Sequence, residues 1–190
     1  MSSRSALVVI DVQNGFVNEH SRHVVPTIRA LADAWLKAGG DAIFTRYRNY
    51  EGSPYDRLIG WRGLMQAPET NLDEQIAPLA ESENATVLDK TTYTAFTDQG
   101  RAILAPYTDL YLCGIATDGC VLKTALDAFE GGFTPWIIED ACASNATRHP
   151  AAEVHQSALT LMSRLVGSGQ LIQSDAVLKS IQAEQVRRGA

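Results

Sequence analysis

Ala6-Leu7-Val8-Val9-Ile10-Asp11 sets five apolar residues without a break, three of them β-branched, directly before a carboxylate. A strand with one solvated face alternates, whereas a strand buried on both faces reads as a continuous apolar run. The stretch therefore predicts a central strand of a parallel sheet. A helix follows, with Pro26 in its first turn, Ile28, Leu31, Trp35 and Leu36 on one face, and Gly39–Gly40 as a stop. Ala42–Thr45, Thr86–Leu88, Leu110–Cys113 and Trp136–Ile138 read as further strands, and Leu171–Ile172 as a possible edge strand. Helical patterns fall near Gln99–Leu104, Gly119–Glu130, Pro150–Val166 and Asp175–Arg187. Such alternation implies right-handed crossovers and a three-layer α/β/α fold. The one long irregular stretch, Arg46–Pro68, holds Trp61 and four arginines; loops of this length are usually functional or mobile.

The 190 residues, 45% hydrophobic and 20% charged, suffice for one domain over 1–190 and argue against a disordered or fibrous chain. The net charge of −6 and the lack of a basic run argue against nucleic acid as a partner. No apolar run approaches the roughly 20 residues of a membrane span. The first residues lack the apolar core of a secretory signal. Three cysteines without regular spacing make no disulfide framework, so a cytoplasmic location is expected.

In an open parallel sheet, ligands bind beyond the carboxyl ends of the strands, which selects Asp11, Lys90 and Cys120. Cys120 stands in Gly114-Ile115-Ala116-Thr117-Asp118-Gly119-Cys120-Val121, between a strand and the first turn of a helix. Unpaired N–H groups and the helix dipole there favour a thiolate, and so a nucleophile. The ordinary alternative is a small buried hydrophobe, which is the reading for Cys113 and Cys142. Asp11 alone would equally suit a turn cap, and Lys90 alone a surface position. Together, a carboxylate, an ammonium and a thiol at strand ends of one sheet can converge.

Val8-Val9-Ile10-Asp11-Val12-Gln13, Lys90-Thr91-Thr92-Tyr93-Thr94-Ala95-Phe96 and Gly114–Val121, followed by Thr124-Ala125-Leu126-Asp127-Ala128, resemble the three signature segments of the isochorismatase-like cysteine hydrolases. The resemblance spans nearly the whole chain in the family's order. It implies a catalytic triad of Asp11, Lys90 and Cys120 and a six-stranded parallel sheet in the order 3-2-1-4-5-6. In that order Asp11 and Cys120 flank the crevice between neighbouring strands. It also implies a cis peptide at Ile115–Ala116, aiming the N–H groups of Ala116 and Cys120 at one oxyanion.

The chain departs from the family's nicotinamidases, whose Asp-x-His metal motif follows the second strand. Here that segment reads Thr45-Arg46-Tyr47-Arg48-Asn49, and His20, His23, His149 and His155 make no recognised metal set. Isochorismatases proper, which cleave a vinyl ether, typically lack the cysteine. The expectation is thus a cysteine-dependent amidohydrolase for a small linear amide, ureide or carbamoyl compound, using neither metal nor cofactor. Vinyl ether hydrolysis, or a catalytically idle binding domain, are the alternatives. Gln13, Phe16, Tyr93 and Thr117 are candidate pocket residues, although Phe16 and Tyr93 equally suit packing. Arg46, directly after the second strand, is the candidate clamp for a substrate carboxylate, with Arg48 beside it. The resemblance further implies a homodimer or homotetramer.

Overall fold

The computed structural model describes residues 4–189. Residues 1–3 and 190 of the expected 1–190 domain lie outside the described residues. The decisive run becomes β1 (Ser5–Ile10), with Ala6–Ile10 at most 1% exposed on either face. It pairs in parallel with β2 (Asp41–Tyr47) on one side and β4 (Asp109–Ile115) on the other. β3 (Ala85–Lys90), β5 (Thr134–Ala143) and β6 (Leu171–Ile172) complete a six-stranded parallel sheet in the order β3-β2-β1-β4-β5-β6. The sheet order implied by the resemblance is the observed one.

Helices cover both faces. α1 (Val25–Lys37) buries Ile28, Leu31, Ala32, Trp35 and Leu36 and packs beside α5 (Ser174–Gly189). α2 (Asp98–Leu104) is capped by Thr97, whose hydroxyl accepts from Gly100 N–H. α3 (Leu122–Glu130) and α4 (Ala151–Leu165) pack together and against β5 on the face opposite α1. The helix expected from Gly119 is divided: a single wide turn, Thr117–Val121, precedes α3. None of these helices is long and apolar enough to cross a membrane.

Two backbone features shape the sheet's carboxyl edge. Asp11 has φ 49°, a left-handed conformation that aspartate tolerates better than most residues and that turns the chain off β1. Gly114 has φ 130°, and a Cβ there would lie 2.1 Å from the Ile10 carbonyl oxygen. Only glycine lets β4 pass β1 so closely just before the turn that carries Cys120. Of the stretch Arg46–Pro68 expected to be irregular, Arg46 and Tyr47 still belong to β2, and the rest contains one short helical turn, Tyr55–Ile59.

Candidate active site

Asp11 leaves the end of β1, Lys90 ends β3, and Cys120 sits in the turn after β4. β3 stands two strands, roughly 10 Å, from β1, so the lysine stem must cross over β2 to reach the aspartate. It does so: Lys90 Nζ lies 2.6 Å from Asp11 Oδ2, both side chains being wholly buried. The ammonium also donates to the carbonyls of Thr92 (2.8 Å) and Tyr93 (3.0 Å) and stands 3.6 Å from Cys120 Sγ. On the other side of the carboxylate, the Thr45 hydroxyl donates to Asp11 Oδ1 at 2.6 Å while accepting from Asp11 N–H at 3.1 Å.

Burial opposes the charge on Lys90, but Asp11 and Cys120 outweigh it, so its pKa lies above the ordinary lysine value. Three oxygen acceptors fix the ammonium form, which makes Lys90 a permanent cation between carboxylate and sulfur. Burial pushes the Cys120 thiol up, the hydrogen-bonded Asp11 carboxylate adds to this, and Lys90 only partly offsets them. This corrects the thiolate expected from the helix-terminus setting. Removing the sulfur from water costs an anion more than nearby N–H groups return, which favours the neutral thiol.

A cavity of about 810 Å3 opens over Cys120. One wall is aromatic. Phe16 lies 5.9 Å from Trp61 with nearly parallel rings, Tyr47 is 5.3 Å from Tyr55 edge-on, and Tyr55 is 5.0 Å from Tyr93 edge-on. Burial raises the Tyr55 phenol to about 12, so it stays neutral in this wall. Ala116 and Asn145 line the cavity elsewhere, with Arg148 and His149 at its exposed rim. The peptide bond Ile115–Ala116 is cis. A second cavity, of about 720 Å3, lies at the other end of the sheet among Trp35, Tyr111 and Trp136, away from these groups.

Residues 5–169 match the family described as Isochorismatase domain. The chain belongs to this family. It is 28% identical over 171 residues to the uncharacterized isochorismatase family protein PncA of Bacillus subtilis, covering 80% of this chain and 93% of that one. Streptothricin hydrolase of Streptomyces noursei is 31% identical over 147 residues, 73% of this chain but 49% of that protein. A crystal structure of nicotinamidase PncA from Bacillus subtilis superposes with a TM-score of 0.78 at 27% identity, covering 90% of this chain and 99% of that chain.

Within this isochorismatase-family fold, three expected pocket residues are placed otherwise. Arg46 points to the opposite face of β2 from Tyr47 and forms a two-pronged ion pair with Asp89 of β3, at 2.7 and 2.9 Å. Side chains alternate along a strand, so the register that turns Tyr47 to the cavity turns Arg46 away from it. The carboxylate clamp is therefore withdrawn, and exposed Arg48 does not line the cavity either. Gln13 is buried and spends its whole amide on the backbone, donating to the carbonyls of Tyr47 (3.0 Å) and Thr70 (2.8 Å) and accepting from Tyr47 N–H at 2.7 Å. Thr117 is likewise buried, its hydroxyl 2.8 Å from His155 Nδ1 on α4. Phe16 and Tyr93 do line the cavity.

The segment at the end of β2, 45–49, does not fit a metal. Thr45 serves Asp11, Arg46 serves Asp89, and the Asn49 amide is bonded to Ser53 and Trp61. Among the described residues no group of three or more His, Cys, Asp or Glu is placed to hold an ion. The sequence reading missed Thr45, Tyr47 and Tyr55. Thr45 and Tyr47 are ordinary strand residues that only the register of β2 against β1 separates from their neighbours, and Tyr55 comes to the cavity from the turn Tyr55–Ile59, outside any strand.

Proposed function

We propose that this chain is a cysteine-dependent, metal-independent amidohydrolase. The observation that carries the reading is the buried contact of Asp11 and Lys90 with each other and of Lys90 with Cys120, which lines an aromatic-walled cavity. The carboxylate accepts the thiol proton as Sγ attacks the amide carbon, so that charge never rests on an isolated buried sulfur. The carbonyl oxygen, now anionic, meets the N–H groups of Ala116 and Cys120. Asp11 returns the proton to the departing nitrogen, and ammonia or an amine leaves a thioester. Water, deprotonated by Asp11, attacks the thioester; the carboxylic acid departs and the thiol is restored. Lys90 stays beside Asp11 as its ion-pair partner between proton transfers, and the Thr45 hydroxyl fixes the orientation of its carboxyl group.

Family relatives named nicotinamidase and streptothricin hydrolase support C–N bond hydrolysis. The aromatic wall favours a flat, apolar acyl group over the carboxylate-bearing one first expected. Ammonia release from a panel of aromatic amides, aliphatic amides and ureides tests the reading. Turnover of at least one class, abolished in Cys120→Ala, is expected. Turnover that persists in that variant would overturn it.

A further inference from the structure

The turn that brings Tyr55 to the cavity has little apolar burial of its own. None of Tyr55–Ile59 is fully buried, and Leu58 and Ile59 at its tip are 77% and 52% exposed. Apart from the ring contacts of Tyr55 with Tyr47, Trp61 and Tyr93, the turn is held by polar ties, and these converge on one side chain. Asn49, itself 2% exposed, accepts from the Ser53 hydroxyl at 2.6 Å and from Tyr50 N–H at 3.0 Å, and its amide donates to the Trp61 carbonyl at 3.0 Å. The network fixes which end of the amide is oxygen, because its neighbours are hydrogen donors on one side and a carbonyl on the other.

The ties continue into the turn. Ser53 Oγ accepts from Asp56 N–H at 3.1 Å, the Ser53 carbonyl accepts from Arg57 N–H at 2.9 Å, and Trp61 N–H donates to the Tyr55 carbonyl at 2.9 Å. Asn49 N–H closes the far side on the Leu64 carbonyl at 2.9 Å. Where the loop leaves β2, the Gln13 amide grips Tyr47 on both its N–H and its carbonyl. One buried carboxamide thus joins both ends of the segment carrying Tyr55 and Trp61.

We propose that Asn49 is a positioning residue that sets selectivity for the acyl group, by holding Tyr55 and Trp61 over the thiol. The inference rests on the amidohydrolase reading for its substrate class, but its key measurement needs no turnover. Rates of Cys120 labelling by iodoacetamide and by its N-benzyl derivative compare a small and a flat aromatic electrophile at the same sulfur. Wild type should favour the benzyl reagent. Asn49→Ala should reduce that preference at least tenfold while changing the iodoacetamide rate less than twofold, since Asp11 and Lys90 are untouched. Ser53→Ala, which removes the shortest tie to Asn49 together with the acceptor of Asp56 N–H, should reduce it several-fold and covers the case in which Asn49→Ala does not fold.

With amides, the kcat/KM ratio of benzamide to acetamide should fall in parallel, mostly through KM for benzamide. A benzyl preference within twofold of wild type in Ser53→Ala, and in Asn49→Ala if it folds, would overturn the role of Asn49. Lack of amide turnover in wild type, with the labelling preference still lost in the variants, would reject the amidohydrolase reading and leave the positioning role standing.

Discussion

Burial and the adjacent Asp11 carboxylate both push the Cys120 thiol up, with Lys90 opposing them. Its alkylation by iodoacetamide should therefore keep accelerating as pH rises past the ordinary thiol value of 9.0. A rate that levels off near neutrality would reveal a resting thiolate instead. Cys120→Ala should lower turnover by several orders of magnitude, because covalent catalysis loses its nucleophile. Cys113 and Cys142 are wholly or nearly wholly buried at other points of the sheet, and their alanine variants should retain activity wherever they fold. Asp11→Asn and Lys90→Ala should each cost orders of magnitude, and the double variant little more, since both serve one proton transfer. Full additivity in steady-state rates would separate their roles.

At the scale of elements, the site depends on how β4 meets β1 and on how α4 backs the turn carrying Cys120. Gly114→Ala would drive a Cβ into the Ile10 carbonyl at a φ that side chains rarely adopt, and should destabilise the chain by more than about 2 kcal/mol in urea unfolding. A smaller change would show that the strands can separate at little cost. His155 meets Thr117 from α4, and its pKa is lowered, first by burial and then by His23, with Asp118 opposing. The unfolded chain therefore binds that proton more readily. Stability linked to neutral His155 is full above the ordinary value of 6.5 and is lost as pH falls through the lower folded value. The urea midpoint should fall between pH 7.5 and 5 more in wild type than in His155→Gln. Equal falls would remove His155 from the linkage.

For the whole molecule, the donor set at the end of β2 predicts that activity survives exhaustive dialysis against EDTA; loss restored by zinc or manganese would overturn the metal-independent mechanism. Self-association is also expected. α4 leaves Leu161 and Leu165, one turn apart, 46% and 48% exposed, and α3 leaves Phe129 50% exposed. Light scattering at micromolar concentration should return at least twice the 20.6 kDa chain mass. The monomer mass would reject it.

The apolar run at Ala6–Ile10 was enough to establish a doubly covered parallel sheet, because burial on both faces leaves no polar positions to alternate. Asp11, Lys90 and Cys120 were legible for a related reason: strand ends in such a sheet face one crevice, and the three polar groups stand there in the order of the family's segments. The direction of Arg46, the service of Thr45 to Asp11 and the upward push on the Cys120 thiol were not legible. Each depends on distances between residues far apart in the chain, such as Arg46 with Asp89 or Cys120 with Asp11. Arg46 and Tyr47 are adjacent in sequence and face opposite sides of one strand, so a single step of register decides which of them faces the cavity. Propensity cannot fix that step; the packing of β2 between β1 and β3 does. The helix terminus near Cys120 is a local feature, whereas the desolvation that outweighs it comes from the surrounding fold.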